Sequence, residues 1–455
     1  MNFSNALRDR VTDAMARWAV PGVTVGTLST ERVETWAFGV VALDTQFPVR
    51  TDTLFQIGSI SKPFTATLLM TLVERGELGL DEPVTTYVPD LILADPEAPD
   101  KITTRHLLTH QAGFWGDWFA DFGLGDTAIE RFVAQYGRLP QTFEPGTHWA
   151  YNNCGYILAG LIAARITGKT FEQALYDLVI RPLGLEHTVL SAAEAIAYPV
   201  AVGHTVDPHT GEARIARSFL RPRARNAAGG VLASIDDVLR FAELHLRPDG
   251  SVLSPQAVAR MRESQVDTFE AGASWGLGFK IEQYEGGKVV GHGGATNGFR
   301  ALLQMVPEQE FAVAILTNGD NGSQLAGEIA DWILAERLGI RPVEHPTVPL
   351  DSAELERLTG VYTQPYGRIE IRSQAGELEG RQTTFSPYSE VEGEVTGKWF
   401  RLRTIGDGRA IVEDGELQGN QIKFWDAEDG GIRFLQAGGR LYFPDAWPFT
   451  MGDEA

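Results

Sequence analysis

The chain has 455 residues, an apolar fraction of 43% and a formal charge of -21. At roughly one domain per 100 to 200 residues, that length predicts two or three globular domains, and the acidity excludes the basic face that nucleic acid or an anionic membrane surface requires. The single cysteine, Cys154, permits no intrachain disulfide and asks for no oxidising compartment.

The opening stretch MNFSNALRDRVTDAMARWAV reads as an amphipathic helix without the continuous apolar core of a signal peptide. The longest apolar run, YILAGLIAARI, falls far short of the roughly 20 residues that span a bilayer. A cytoplasmic protein without a membrane partner is therefore expected. Pro21 and Gly22 break the first helix, and VTVGTLSTERVETWAFGVV then reads as two β-rich runs around a polar turn. From Ser59 to about Leu246 helical spacing dominates, most clearly in ATLLMTLVERG, YILAGLIAARITG and SIDDVLRFAELHL. The first two stop at Gly76 and Gly168, where C-caps are expected. Beyond Gly272, KVVGHGG, FRALLQMVP and FAVAILTNG predict an antiparallel meander, and SQLAGEIADWILAERLG a closing helix ending at Gly339.

Strands at both ends with helices between them predict an α+β domain over residues 1–340, its antiparallel sheet flanked by helices and joined to a helical lobe. The proline-punctuated IRPVEHPTVPLDS predicts a linker at 341–352. Over 353–455, alternating runs such as GRIEIRS, KWFRLRT, QIKFWDA, IRFLQAG and RLYF between Gly and Asp turns predict a small all-β barrel or sandwich.

FQIGSISKPF carries a lysine at the start of an apolar helix, where the helix dipole disfavours positive charge. Pro63, which has no N–H to donate, places the helix start nearby. A start near Ser59 puts Ser59 and Lys62 three apart on one face, on the order of 5 to 6 Å between Cβ atoms. A hydroxyl is inert at neutral pH unless a base takes its proton, and a lysine serves as that base only when burial or a neighbouring cation lowers its pKa. A plain helix cap is the competing reading of Ser59. In HWAYNNCGY, Tyr151 and Asn153 form Y-x-N ahead of an apolar helix, suited to proton relay and to hydrogen bonding an acyl carbonyl and a lysine, or simply to packing and capping. In GHGGATNGF, His292 precedes Gly293 and Gly294 beside a strand, where a missing Cβ lets substrate lie against the backbone, or where the chain simply turns.

In this order the three motifs resemble the serine β-lactamase and penicillin-binding-protein superfamily, whose signature is S-x-x-K, Y-x-N and then K-T-G or H-x-G. TDTLFQIGSISKPFTA, LVERGELGLDEPVTTYVPD, ITTRHLLTHQAGF, PLGLEHT, AAGGVLASIDDVLRFA and WGLGF extend the resemblance over about residues 20 to 340. The resemblance implies Ser59 as acylating nucleophile, Lys62 as its base, Tyr151 as proton relay and Asn153 as the acyl-side amide. It implies an oxyanion hole from the backbone N–H of Ser59 and of Ala295, each worth roughly 3 kcal/mol. His292, Gly293 and Gly294 stand where β-lactamases carry K-T-G. The permanent cation is thus missing, efficient β-lactam hydrolysis is not expected, and H-x-G is similar to the branch of family VIII esterases, D-aminopeptidases, D-amino-acid amidases and acyl-transfer thioesterases. The trailing module resembles the lipocalin-like barrel some of those proteins carry, with an expected role in pocket access or in assembling a homo-oligomer.

Competing motifs are weaker. GASWG, Gly272 to Gly276, matches a G-x-S-x-G elbow without its strand and helix; His106 and His110 have i, i+4 spacing without the Glu of a zinc protease; Trp115, Trp118, Phe119 and Phe122 form either an acyl-pocket wall or a lid. The expected function is a cofactor- and metal-independent serine hydrolase for small esters or amides, esters favoured. D-stereospecific aminopeptidase or amidase, peptide-cyclising acyl transfer, and a silent binding or sensor protein are the alternatives. With 60 acidic residues, none is singled out as the carboxylate an amine-specific pocket needs.

Overall fold

A computed structural model describes residues 3–207, 210–219, 221–385, 394–415 and 417–449; residues 386–393 and 450–455 of the expected all-β stretch lie outside the described residues. The long helices are α1 (Phe3–Trp18), α2 (Ser61–Glu74), α3 (Asn153–Thr167), α4 (Ile235–Leu246) and α5 (Gly322–Leu338). The main strands of the first sheet are β1 (Gly22–Leu28), β2 (Val33–Gly39), β3 (Lys280–Glu285), β4 (Gly287–Thr296), β5 (Phe299–Val306) and β6 (Phe311–Thr317). They pair antiparallel in the order β2-β1-β6-β5-β4-β3, so the two ends of the segment meet where Val25 faces Ile315. Ala273–Trp275, the centre of GASWG, is a short strand paired with β3, not a nucleophile elbow.

Every residue of β1 and β6 is buried, because helices cover both faces. On one side α1 and α5 pack Leu7, Val11, Ile329 and Ile333 against Val23 and Val313. On the other, α4 lies so close that a side chain on Gly26 would meet Leu239 Cδ1 at 2.6 Å. Behind α4 sits the helical lobe, whose centre is α2 and α3, both buried almost all round; the stacked rings of Phe64 and Phe241 lie 3.8 Å apart between α2 and α4.

Local chemistry sets the helix ends. Asn152 caps α3 by accepting from the Gly155 N–H, and Gly168 ends it in the left-handed region at φ 64°. Helix α2 has no side-chain cap. Ser59 lies in a 3-10 turn, Gly58–Ile60, just before α2 and not in its first turn as predicted. Gly58, at φ 52°, turns the chain there, and the Ser61 hydroxyl donates to its carbonyl at 2.7 Å while accepting from the Val231 N–H.

The expected linker, 341–352, is tethered along its length. Arg341–Pro342 pairs with β3, and the Val348 N–H donates to the Thr404 carbonyl. A short helix, α6 (Ser352–Leu358), stands where only strands were predicted: Asp351 accepts from the N–H of Ala353 and Glu354, and the Glu354 carboxylate accepts from the Asp351 N–H. Then follow β7 (Gly360–Gln364), β8 (Gly367–Gln374), β9 (Glu377–Thr384), β10 (Phe400–Gly406), β11 (Arg409–Val412), β12 (Gln421–Asp426), β13 (Ile432–Ala437) and β14 (Arg440–Pro444). They run β8-β7-β14-β13-β12-β11-β10-β9, and pairing of β8 with β9 closes an eight-stranded antiparallel barrel. Tyr362, Ile369, Leu378, Phe424 and Leu435 belong to its own core. Among the described residues no helix is long and apolar enough to cross a membrane.

The barrel seals onto the helical lobe through its β13–β14 hairpin. Gln436 is fully buried, donating to the Trp149 carbonyl at 2.9 Å and accepting from the Trp425 indole N–H at 3.1 Å. Trp447 packs on Trp115 and Tyr366 on Phe119. Substituting Gln436→Leu strands both groups, and the urea midpoint is expected to fall by the equivalent of about 1 to 3 kcal/mol; an unchanged midpoint would show that docking does not rest on this amide.

Candidate active site

The 3-10 turn and the start of α2 set Ser59 beside Lys62, whose side chain is fully buried. Lys62 Nζ lies 3.2 Å from Ser59 Oγ, 2.7 Å from Asn153 Oδ1 and 2.8 Å from the Ala228 carbonyl oxygen. The amide orientation follows from its other end, where Asn153 Nδ2 donates to Asp117 Oδ1 at 2.5 Å, leaving Oδ1 towards the lysine. Two neighbours of the amine can therefore only accept. A neutral amine meets both with its two N–H groups and leaves its lone pair for the serine hydroxyl. Burial holds the Lys62 pKa well below the usual lysine range; Arg440, Arg225 and Arg221 lower it further and Asp117 opposes them.

Adjacent asparagines divide the work at the head of α3. Asn152 takes the cap, which frees Asn153 for Lys62. Just before them stands Tyr151, its phenol pKa pushed up by burial with Ser59 opposing, and Lys62 Nζ sits 4.7 Å from the Tyr151 ring centre. His110 packs on that ring and accepts at Nδ1 from the Asn152 N–H, so its proton is on Nε2; burial keeps it neutral. His106, by contrast, serves in the capping box of the short helix Thr104–Leu108.

Strand β4 forms the opposite wall. Gly293 and Ala295 are exposed, whereas Gly294 is buried so tightly that a Cβ would collide with the Ile57 carbonyl. A Cβ on Gly58 would likewise lie 2.6 Å from Ala295 N. These two glycines let the Ser59 turn press against β4, bringing together the two backbone segments expected to supply an oxyanion hole. His292 donates from Nδ1 to the Gly293 carbonyl at 2.5 Å, which leaves Nε2 as an acceptor. Burial, with Lys62 adding to it, lowers its pKa to about 3. At neutral pH it is not even a weak cation, a sharper departure from K-T-G than the sequence implied.

Sequence reading missed Asp117 and Arg440. Asp117 lies in the aromatic loop that carries Trp115 and Trp118, with 8% exposure, and Arg440 Nε from the barrel donates to its Oδ2 at 2.9 Å. The Arg440 guanidinium also stacks 4.6 Å from the Tyr151 ring centre. Asp117 is one of 60 acidic residues and Arg440 lies 323 positions away, so no local pattern marks either. Among the described residues, no group of three or more His, Cys, Asp or Glu is placed to hold a metal ion.

Comparison with known proteins gives the chain its relatives. The family model described as Beta-lactamase matches residues 7–337. Penicillin-binding protein 4 of Amycolatopsis lactamdurans is 33% identical over 359 residues, covering 76% of this chain and 94% of that protein. Esterase EstB of Burkholderia gladioli is 32% identical over 265 residues, covering 51% of this chain and 67% of that one. A solved structure of SurE with D-Leu superposes with a TM-score of 0.73 at 26% identity, over 97% of this chain and 99% of that one, barrel included.

The buried imidazoles generate an expectation about acid. His292 and His245 have folded pKa values of about 3 and His148 of about 4, against roughly 6.5 when unfolded. Because the unfolded chain binds these protons first, stability is full above pH 6.5 and declines as pH falls from there towards 3. The imidazole resonances of His292, assigned with His292→Gln, are expected to stay flat from pH 5 to 8; a transition near 6.5 would overturn its neutral assignment.

Proposed function

Because the chain belongs to the Beta-lactamase family of serine hydrolases, we propose that it forms an acyl-enzyme on Ser59 and cleaves ester or amide bonds of small substrates, esters favoured. The observation that carries this reading is the buried Lys62 amine, with two obligate acceptors and a serine hydroxyl as its neighbours. Neutral Lys62 takes the Ser59 proton as Oγ attacks the substrate carbonyl. The N–H groups of Ser59 and Ala295 stabilise the oxyanion. One Asn153 N–H is held by Asp117, and the second is left for the acyl carbonyl. As the intermediate collapses, the proton held by Lys62 reaches the leaving group through the hydroxyl of Tyr151, whose ring centre lies 4.7 Å from Lys62 Nζ. Water then attacks the acyl ester as its proton passes through Tyr151 to Lys62, and that proton returns to Ser59 Oγ as the serine C–O bond breaks, releasing the acid and restoring the free serine.

Two features favour esters. Neutral His292 gives no cation to grip the carboxylate of a β-lactam. Asp117, the carboxylate beside Asn153, is committed to Arg440 and Asn153 and so is not poised to bind a substrate ammonium. The second reading, hydrolysis or acyl transfer on peptides with D-residues, is favoured by the likeness to SurE with D-Leu across both domains.

A fluorophosphonate probe is expected to label folded wild type and not Ser59→Ala, with Lys62→Ala slowed by at least roughly 100-fold. Absence of labelling in folded wild type would favour a binding protein instead. In a substrate panel, p-nitrophenyl butyrate is expected to turn over fastest, D-alanine p-nitroanilide more slowly and nitrocefin least; rapid nitrocefin cleavage would reverse the substrate ranking.

A further inference from the structure

We propose that Arg440 and Asp117 are positioning residues for acylation: the guanidinium delivered by the barrel holds the Asp117 carboxylate, which turns the Asn153 amide so that its oxygen faces Lys62. The proposal rests on the reading of Lys62 as the base of Ser59. It makes the barrel part of the acylation machinery and not an appendage.

The contacts run without a gap from one domain into the other. Arg440 Nε donates to Asp117 Oδ2 at 2.9 Å, Asp117 Oδ1 accepts from Asn153 Nδ2 at 2.5 Å, and Asn153 Oδ1 accepts from Lys62 Nζ at 2.7 Å. An asparagine amide is nearly symmetric in shape, so something must decide which end meets the lysine. If the amide were flipped, Nδ2 would face the amine and compete for the lone pair that Ser59 needs. A carboxylate at the far end accepts only, and it therefore admits one orientation.

The hairpin that presents Arg440 is held independently of the ion pair. The Tyr151 N–H donates to the Gly439 carbonyl at 2.8 Å, and Arg440 Nη1 donates to the Gly438 carbonyl at 2.8 Å. Gly439 sits at φ 77°, and a Cβ there would come within 2.8 Å of Tyr151 Cβ, so the approach requires glycine. The barrel thus grips the backbone of Tyr151 and supplies a cation that reaches Asn153 through Asp117.

Lys62 is faced by charged or titratable groups from every side: Tyr156 on α3, Tyr151 before it, His110 and Asp117 on the loops between α2 and α3, Arg221 and Arg225 ahead of α4, His292 on β4, and Arg440 on the barrel. His110 and His292 are held below the neutral range and the phenols above it. The acid limb of Ser59 reactivity therefore reports Lys62. Removing Arg440 takes away a charge that disfavours the ammonium and leaves Asp117 uncompensated, so the limb moves up in pH. Removing the Asp117 charge does the reverse.

The test is the rate of fluorophosphonate labelling of the full chain against pH, in wild type, Arg440→Met, Arg440→Lys and Asp117→Asn. The expected result is a limb shifted up by roughly 1 unit in R440M and down by a similar amount in D117N. R440K is expected to keep the wild-type limb, and the plateau rate to fall by roughly 10- to 100-fold in R440M. Parallel loss of rate with an unmoved limb in R440M and D117N would mean a merely structural pair and overturn the proposal. D117N and R440K preserve shape or charge and carry the test if R440M does not fold. Wild type that labels with no such opposed shifts sinks the positioning role alone, whereas wild type that never labels sinks the serine-hydrolase reading with it.

Discussion

Burying a lysine amine away from water, with only a hydroxyl, an amide oxygen and a peptide carbonyl in contact, disfavours its charged form. The rest of the site can be understood as the arrangement that makes this burial tolerable and useful. Asn153 Oδ1 and the Ala228 carbonyl satisfy the two N–H groups of a neutral amine, so no buried donor is left over. Three arginines, Arg440, Arg225 and Arg221, press in the same direction as burial. In a chain with a formal charge of -21, this local concentration of positive charge around Ser59 runs against the composition.

The architecture brings five distant segments to that amine. α2 carries Lys62, the head of α3 carries Asn153, the stretch before α4 presents the Ala228 carbonyl, the strand β4 closes the far wall, and the barrel adds Arg440. Close approach between the Ser59 turn and β4 depends on Gly58 and Gly294, where any side chain would collide with backbone. These glycines fix the distance between the serine and the strand more directly than any hydrogen bond does. That is why a short motif such as G-S-x-S-K can be so restrictive: the glycine before Ser59 adopts a positive φ, and Ser61 ties the turn to the segment before α4.

Much of this was readable from sequence, for physical reasons that also mark where reading stopped. Helices with capping signals, such as α3 ending at Gly168 and α5 ending at Gly339, appear where periodicity placed them. Ser59, Lys62, Tyr151, Asn153 and His292, named from three short motifs, lie together: the first motif is a turn into α2, the second the head of α3 and the third a stretch of β4. The helix α6 escaped notice because it is a single capping box inside proline-rich sequence, and β9, ELEGRQTT, because its buried residues are Leu378, Gly380 and Thr383, which do not read as an apolar alternation. The displacement of Ser59 into a 3-10 turn turns on one residue, Gly58. Asp117 and Arg440 were beyond reach altogether, since their meaning arises only when a hairpin of the barrel packs over an aromatic loop more than 300 residues earlier.

The pairing of Asp117 with Arg440 resolves a conflict between geometry and charge. Fixing Asn153 calls for a group that only accepts, and a carboxylate does this best. A lone carboxylate in a buried site, however, would favour the ammonium form of Lys62 and blunt it as a base. A guanidinium on the carboxylate's second oxygen removes that penalty without disturbing the first, so orientation is kept while burial still governs the amine's charge. Arginine suits the position because it remains charged when desolvated and stacks on Tyr151 while donating sideways to Asp117. Supplying that cation from the barrel, and not from β4 where His292 is neutral, places this positive charge on the Asn153 side of the serine. The two-domain architecture and the chemistry of Ser59 are in this way parts of one electrostatic arrangement.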